Sequence, residues 1–212
     1  MTRLTLTFLG QFEALLDDTP LVHFRSAKTQ ALFIYLVMNS QDAQSRSGLA
    51  ALLWPTDAEQ AAKQNLRQAI FRLRQLLGDV KEEETPYLLV TRSSVQFNPA
   101  SDVQLDITAF HSHLEQGQLE EAAALYRDEL LAGFHCDSRP FNNWLRQERE
   151  TVHWLALETL TTLAGRSLAR ADYQETGRLA RRQLALEPWR EEAHRQLMQA
   201  LALQGDRSAA LA

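Results

Sequence analysis

The 212-residue chain contains little of the chemistry on which secreted and membrane proteins depend. Its single cysteine, Cys136, can form no internal disulfide, which is typical of proteins in a reducing compartment. The longest apolar run, ALFIYLVM, has eight residues, whereas a helix that spans a bilayer needs about 20. The first residues, MTRLTLTFLG, lack the apolar stretch and cleavage site of a secretory signal. The sequence therefore predicts a cytoplasmic protein that does not enter a membrane.

The usual signatures of enzymes and metal sites are also missing. The eight glycines are scattered, and GxGxxG, GxxxxGK[ST], HExxH and GxSxG do not occur. His111 and His113 stand two apart on an expected helix, so they point to different faces. His135 and Cys136 are adjacent, but no second ligand pair follows at a spacing typical of zinc sites. We expect no cofactor, no metal ion and no catalytic activity.

What the sequence does contain is an uneven distribution of charge. The formal net charge is -5, yet residues 1–99 hold ten basic and ten acidic residues. Residues 100–212 hold twelve basic and seventeen acidic residues. Between Arg25 and Arg74 there are seven basic residues against three acidic ones. A positive surface is therefore expected in the N-terminal half.

The N-terminal half begins with strand patterns and continues with helices. LTLTF, FEALL and LVHF are expected strands, with DDTP as a turn between the last two. Ser26 is placed to cap a helix that ends near Asn39, and a short helix over SGLAALLW should end at Pro55. Thr56 and Glu59 have the spacing of a capping box before a third helix.

The third helix should end at Gly78, and a charged loop, DVKEEETP, follows it. YLLVTRSSVQFNP then predicts two short strands around a turn at residues 92–94. Three helices followed by a hairpin are the plan of a winged helix-turn-helix. Residues 1–99 are therefore expected to form an α+β winged-helix domain that binds DNA.

From residue 106 the pattern is helical throughout, which predicts an all-α domain over residues 100–212. GQLEEAA, ADYQETG and GDRSAAL each open a helix after a tight connection, and the last two start 34 residues apart. That period is typical of tetratricopeptide repeats. The chain stops within the start of a further helix, so we expect this domain to be truncated at its C-terminus. Core packing is expected for all four tryptophans, Trp54, Trp144, Trp154 and Trp189.

The segment AAKQNLRQAIFRLRQLLG, residues 61–78, has four basic residues and no acidic one. On a helical wheel, four apolar residues form one buried stripe: Leu66, Ile70, Leu73 and Leu77. Cations flank the opposite face, with Lys63, Arg67 and Arg74 on one side and Arg72 on the other. Between the flanks lie Gln64, Gln68, Phe71 and Gln75.

This face has two interpretations. A solvated helix face usually mixes charges, because pairs of opposite sign four residues apart stabilise a helix. A face with cations only has no internal partner, whereas the major groove of DNA has phosphates on both walls and base edges on its floor. Arginine pairs with guanine, glutamine with adenine, and an apolar group contacts the thymine methyl. The DNA interpretation is favoured, and the solvated face remains the alternative.

The stretch SRSGLAALLWPTDAEQAAKQNLRQAIFRLRQLLG resembles the DNA-binding core of the Streptomyces antibiotic regulatory protein family. The matching positions are Leu52, Leu53, Trp54, Asn65, Leu66, Arg67, Ala69, Arg72, Leu73 and Arg74. VQLDITAFHSHL and the helices after it resemble the bacterial transcriptional activation domain that follows in that family. The sequence departs from the family at Phe71, often a basic or small polar residue there, and in a wing without a Gly-Tyr pair.

The resemblance implies roles for individual residues. Arg72 would contact a base edge, and Arg67 and Arg74 would contact phosphates or bases. Arg92 would be the wing residue, and Arg46 would anchor a phosphate. The resemblance also implies an activator that binds promoter direct repeats as a tandem pair, recruits RNA polymerase, and uses its helical domain for homodimer or polymerase contacts. The rival hypothesis is a protein–protein adaptor whose basic helix meets an acidic protein instead of DNA.

Overall fold

The computed structural model describes residues 3–79 and 85–205, and the loop prediction over residues 80–84 lies outside them. The chain divides into two compact units. The first comprises residues 1–105 and 131–148, and the second comprises residues 106–130 and 149–212. The first unit thus takes in a segment that the sequence interpretation assigned to the helical domain, and the division at residue 99 stays a prediction.

A four-stranded sheet opens the first unit. Its strands are β1 (Leu4–Thr7), β2 (Glu13–Leu16), β3 (Thr19–Pro20) and β7 (Val103–Leu105), in the order β3-β2-β1-β7. β1 and β2 are antiparallel with Leu4 opposite Leu16, whereas β1 and β7 are parallel with Leu4 opposite Val103. Asp17 and Asp18 make the β2–β3 turn with φ values of 47° and 62°, which aspartate tolerates better than most residues.

Three helices follow: α1 (Ala27–Met38), α2 (Arg46–Leu53) and α3 (Glu59–Leu76). Ser26 caps α1 by accepting a hydrogen bond from the Thr29 amide at 3.1 Å, and Ser45 caps α2 by accepting from the Gly48 amide. A second sheet has the order β4-β6-β5, formed by β4 (Gln44–Ser45), β5 (Leu88–Val90) and β6 (Ser94–Phe97). The β5–β6 hairpin is the wing, so the arrangement is a winged helix.

The core of the first unit is rich in aromatic rings. Phe33 on α1 lies 5.6 Å from Phe24 and 6.1 Å from Phe97, measured between ring centroids. The four stripe residues predicted on α3 are all at least 96% buried: Leu66, Ile70, Leu73 and Leu77. Their burial fixes which face of α3 points outwards, and this is the fold's main contribution to the candidate site.

Residues 131–148 complete this unit. The Leu131 amide donates to the Phe8 carbonyl at 2.6 Å, and the Ser138 hydroxyl donates to the Leu52 carbonyl. The Trp144 ring lies 4.8 Å from the Tyr35 ring of α1. These contacts tie a sequence-distant segment to the winged helix.

The second unit is all-α. It contains α4 (Asp106–Glu115), α5 (Leu119–Leu125), α7 (Tyr173–Leu186) and α8 (Glu191–Leu203), together with the part of α6 (Arg139–Ala169) that begins at Arg149. Ala123, Leu160, Leu163, Ala164 and Leu179 form a buried cluster between α5, α6 and α7. Gly117 and Ala171 adopt positive φ in the short connections that precede α5 and α7. Gly205 does so as well, 34 residues after Ala171, as expected of a tetratricopeptide-like pattern.

The fold class predicted from the sequence, a winged helix followed by tetratricopeptide-like helices, is confirmed. Several local predictions are wrong. LVHF is not a strand, because the tight turn at Asp17 and Asp18 starts β3 at Thr19. Thr56 does not cap α3; the N-cap is Ala58, without a side-chain hydrogen bond. The helical pattern of LEEAAALYRDELLAG predicts one helix over residues 119–133, but the helix ends at Leu125.

Two of the four tryptophans contradict the prediction of core packing. Trp54 is 9% exposed and Trp144 is partly buried. Trp154 is 59% exposed and Trp189 is 79% exposed, so neither is a core residue within the unit that contains it. The truncation expected at the C-terminus should leave apolar residues such as Leu203 and Leu211 without a covering helix; Leu203 is 58% exposed, and Leu211 lies outside the described residues.

Candidate nucleic-acid interface

The local sequence around α3 explains why this helix presents a continuous outer face. Pro55 follows α2, and the Asn65 side chain donates to Asp57 at 2.8 Å, which ties the connection to the helix. Gly78 ends the helix with a φ of 83°, where a residue with a side chain would be strained. With Leu66 and Leu73 buried, the opposite face is held towards solvent over several turns.

A groove with a volume of about 530 Å³ lies along that outer face. Its lining includes five of the predicted site residues, all on α3: Arg67, Gln68, Phe71, Arg72 and Gln75. Because all five lie on one α-helix, helical geometry puts Gln68, Phe71 and Gln75 between the two arginines. Phe71 is 59% exposed, which is unusual for a large apolar side chain. The sixth lining residue is Arg25, from the connection between β3 and α1.

The groove is positive and lacks counter-charges. Its lining contains three arginines and no acidic side chain among the described residues. Neither Arg67 nor Arg72 has an ion pair or a side-chain hydrogen bond within residues 3–79 and 85–205. Cations held close together without internal partners favour binding of a polyanion.

Lys63 and Arg74 are not part of the groove lining. The Lys63 ammonium pairs with the Glu59 carboxylate one turn earlier, and the hydrogen bond and charge of Lys63 lower the pKa of Glu59. Arg74 donates from Nη2 to the Asp79 carbonyl oxygen at 2.8 Å, close to the C-terminus of α3. Both residues are exposed, but each already has a partner within the protein.

Arg46 and Arg92 belong to the wing region. The Arg46 amide donates to the Ser93 carbonyl at 2.9 Å, and its Nη1 donates to the Thr91 carbonyl at 3.2 Å. The Thr91 hydroxyl accepts hydrogen bonds from the amides of Ser93 and Ser94, which fixes the turn. Arg92 projects from this turn and is exposed. The structure therefore places the nine predicted residues in three settings: the groove, the two ends of α3, and the wing.

Arg25 lines the groove but was not among the residues predicted from the sequence. The charge count marked it only as the start of the basic region, because it lies outside every helix and strand pattern. Its place beside α3 depends on the packing of Phe24 and on the backbone at residue 25, neither of which is visible as a motif.

The groups left to consider are the potential metal ligands, the single cysteine and the helices. Among residues 3–79 and 85–205, no three His, Cys, Asp or Glu side chains are placed to hold a metal ion. Cys136 is buried, and burial raises the pKa of its thiol to about 11, so it is a poor nucleophile at neutral pH. None of the described helices is long and apolar enough to cross a membrane.

Comparison with known proteins agrees with this architecture. Residues 106–212 match the family model of the bacterial transcriptional activator domain. The chain belongs to this family. The whole chain also superposes on a solved structure, Mycobacterium tuberculosis EmbR in complex with a low-affinity phosphopeptide, with a TM-score of 0.69 and 20% identity. The match covers 100% of this chain and 57% of the EmbR chain, and at this identity it establishes the fold. The curated proteins gave no match.

A bacterial transcriptional activator domain after a winged helix confirms the resemblance to the Streptomyces antibiotic regulatory proteins. The matched family is one of bacterial transcriptional activator domains, and the chain spans 57% of the length of the EmbR chain.

Proposed function

We propose that this regulator binds promoter DNA through α3 and the wing, in the cytoplasm, and activates transcription. The observation that supports the proposal most strongly is the groove on α3, because its arginines have no acidic partner while glutamines and an exposed phenylalanine lie between them. A solvated helix face needs neither the exposed ring nor the absence of counter-charges.

The groove matches the chemistry of the DNA major groove. Arg72 would pair with a guanine edge, Gln68 and Gln75 would pair with adenines, and Phe71 would contact a thymine methyl group. Arg67 would neutralise a phosphate on one wall of the groove, and phosphate contacts supply most of the affinity. Lys63 and Arg74 would join as weaker phosphate contacts, since each must first leave its own partner.

The wing would make a second contact. Arg92 stands on a turn held by Thr91, so its guanidinium can reach the minor groove or its phosphates without reordering the hairpin. Arg46 would contact a phosphate near the wing, because its bonds to Thr91 and Ser93 keep it beside the turn.

The helical unit would provide contacts with proteins rather than with DNA. Trp154, Trp189, Met198 and Leu203 are exposed apolar side chains on this unit. Exposed aromatic residues are enriched where proteins bind one another. We propose that this unit mediates homodimer or RNA polymerase contacts, with two copies on direct repeats.

DNA binding is tested by fluorescence anisotropy with a labelled random-sequence duplex at 50 mM and 200 mM salt. A DNA-binding protein with several phosphate contacts loses affinity steeply between these concentrations, by about 10³-fold for six contacts. The adaptor hypothesis predicts no binding to duplex DNA at either concentration. Sedimentation over a hundredfold concentration range, with and without a duplex holding two tandem sites, tests self-association; a strict monomer in both would exclude the dimer role.

A further inference from the structure

Arg25 has a backbone conformation that arginine rarely adopts. Its φ is 60°, and the Ser26 amide donates to the Phe24 carbonyl at 2.8 Å across it. A hydrogen bond between residues two apart, with a positive φ at the middle residue, describes a γ-turn of the strained kind. Glycine or asparagine would adopt this conformation at lower cost.

The residues on both sides hold this turn in place. Phe24 is 6% exposed and its ring lies 5.6 Å from Phe33 of α1. Ser26 caps α1 through the Thr29 amide at 3.1 Å. The chain therefore has little freedom to relax the turn, and Arg25 itself is exposed, so core packing does not explain why an arginine stands here.

The groove on α3 explains why an arginine stands at position 25. Its side chain lines the groove on α3 together with Arg67 and Arg72, and no acidic side chain of the described residues joins that lining. Within the described part of the chain, Arg25 has no ion pair and no side-chain hydrogen bond. Three unpaired guanidinium groups around one groove repel each other, which is compensated when they meet an anion.

We propose that Arg25 is a further DNA-contacting residue, which binds a backbone phosphate beside the bases that α3 contacts. The proposal rests on the proposed DNA-binding function and adds to it a contact from outside the helix-turn-helix. The strained turn directs the Arg25 side chain towards the groove, and the strain lowers the stability of the folded protein. Strain of this kind is concentrated at functional sites.

A phosphate suits Arg25 better than a base edge. Arg25 lies on a connection outside α3, whereas a helix in the major groove presents its own side chains to the base edges. The first turn of α1 follows directly and contains no acidic residue. The partial positive charge of that helix N-terminus therefore adds to the attraction for a phosphate at this place.

The test uses the full chain and two probes: a duplex selected by the wild-type protein from a random pool, and a random-sequence duplex of equal length. Arg25→Ala should weaken binding to both by a similar factor, about fivefold to tenfold, and lower the slope of log affinity against log salt by about one. Arg25→Lys, which keeps the charge, should recover most of the affinity for both duplexes.

Arg25→Gly separates strain from binding. It should lose DNA affinity as Arg25→Ala does, yet melt about 2–4 °C above the wild type, because glycine accepts the positive φ. Ala171→Gly is the matched control, since Ala171 has a φ of 59° in the other unit: it should leave DNA affinity unchanged. Arg127→Ala controls for the loss of one exposed positive charge that does not line the groove.

The possible outcomes are distinct. If Arg25→Ala binds both duplexes as the wild type does, Arg25 makes no contact and the inference is wrong. A loss confined to the selected duplex overturns the phosphate assignment, because it indicates a base contact. If the Arg25→Gly protein melts at or below the wild-type temperature, the positive φ of Arg25 costs no stability, and that part of the inference is wrong. Failure of the wild type to bind either duplex overturns the proposed function, and this inference with it.

Discussion

The arginines that line the groove of the winged helix differ from several arginines of the helical unit, because they have no partner among the described residues. In the helical unit, five arginines have acceptors within the protein: Arg149, Arg178, Arg182, Arg190 and Arg195. Arg178, for example, donates two hydrogen bonds to Glu175, at 2.6 and 2.7 Å. Around the groove of the winged helix, Arg25, Arg67 and Arg72 have no such acceptor among the described residues.

The difference shows where each unit can bind a partner. A cation that already has a carboxylate or carbonyl partner must lose it before it binds another anion, so little affinity is gained. A cation without a partner has only water to lose. The winged helix is therefore suited to a polyanion, and the apolar exposed residues of the helical unit are suited to a protein.

The strongest test of this comparison reverses the charge of the groove. Arg67→Glu combined with Arg72→Glu should reduce DNA affinity at least about 10²-fold, because two attractions become repulsions and the base contact is lost. The fold should be unchanged, since neither side chain has a partner in the described structure. Anisotropy gives the affinity, and circular dichroism checks the fold.

The matched control for this double variant is Arg127→Glu with Arg166→Glu, which changes the net charge equally at exposed positions of the helical unit. If the control weakens DNA binding as much as the groove variant does, net charge rather than the groove determines affinity. The comparison between the two units would then have no bearing on DNA binding.

A finer test separates the roles of α3 and the wing. Arg72→Ala should cost about 1–3 kcal/mol on a selected duplex and flatten the preference at one base position. Arg92→Ala should weaken selected and random duplexes alike and lower the salt slope by about one. Selection from a random pool with each variant gives the preference directly. Equal effects of both variants on both duplexes would contradict the assigned roles.

The features predicted correctly from the sequence are those that neighbouring residues determine, such as helix ends and helix faces. α1 begins and ends as expected, because the Ser26 cap and the polar residues after Met38 are local signals. The stripe of α3 and its outer face follow from helical periodicity alone. β7 was not predicted, because its three residues are a strand only through parallel pairing with β1, about 100 residues earlier. Pairing across such a distance leaves no short-range pattern.

The sequence prediction was wrong where long-range contacts override the local preference for a helix or strand. LEEAAALYRDELLAG has helical spacing, but its helix ends at Leu125, and Leu131 and Gly133 take positive φ values beyond it. The Leu131 amide pairs instead with the Phe8 carbonyl. Arg25 was missed for the same reason, since its position depends on a turn and on packing that the sequence does not display.

The paired arginines of the helical unit should matter for stability and not for DNA. The Arg190 side chain is 19% exposed and bonds to Glu158, Glu187 and the Thr161 hydroxyl. Arg190→Met should lower the free energy of unfolding by about 1–2 kcal/mol, discounted from the cost of a fully buried pair because Glu158 is 46% exposed. DNA affinity should be unchanged.

Thermal and denaturant unfolding measure this loss, and Arg195→Met is the control. Arg195 pairs with Glu192, but its side chain is 69% exposed, so its replacement should cost no more than about 0.5 kcal/mol. An Arg190→Met protein as stable as the control would show that the pairs of the helical unit are surface features. Pairing would then not explain how the two units differ.

Lys63 provides the smallest and most discriminating test, because it is a cation of α3 that has an internal partner. Glu59→Gln keeps the size of the side chain but removes its charge, so Lys63 is released; DNA affinity should rise by no more than about threefold at low salt.

The same change should reduce stability slightly at neutral pH, since Glu59 also favours the helix N-terminus. Lys63 lowers the pKa of Glu59 in the folded state below its ordinary value of 4.5, so this contribution is present above pH 4.5 and is lost as the pH falls through the lowered pKa. The melting temperatures of the two proteins should therefore converge as the pH is lowered from 7 through the lowered pKa of Glu59. If the affinity does not rise although the melting temperatures converge, the pair forms but Lys63 does not reach the DNA, and the contact surface of α3 is limited to the groove.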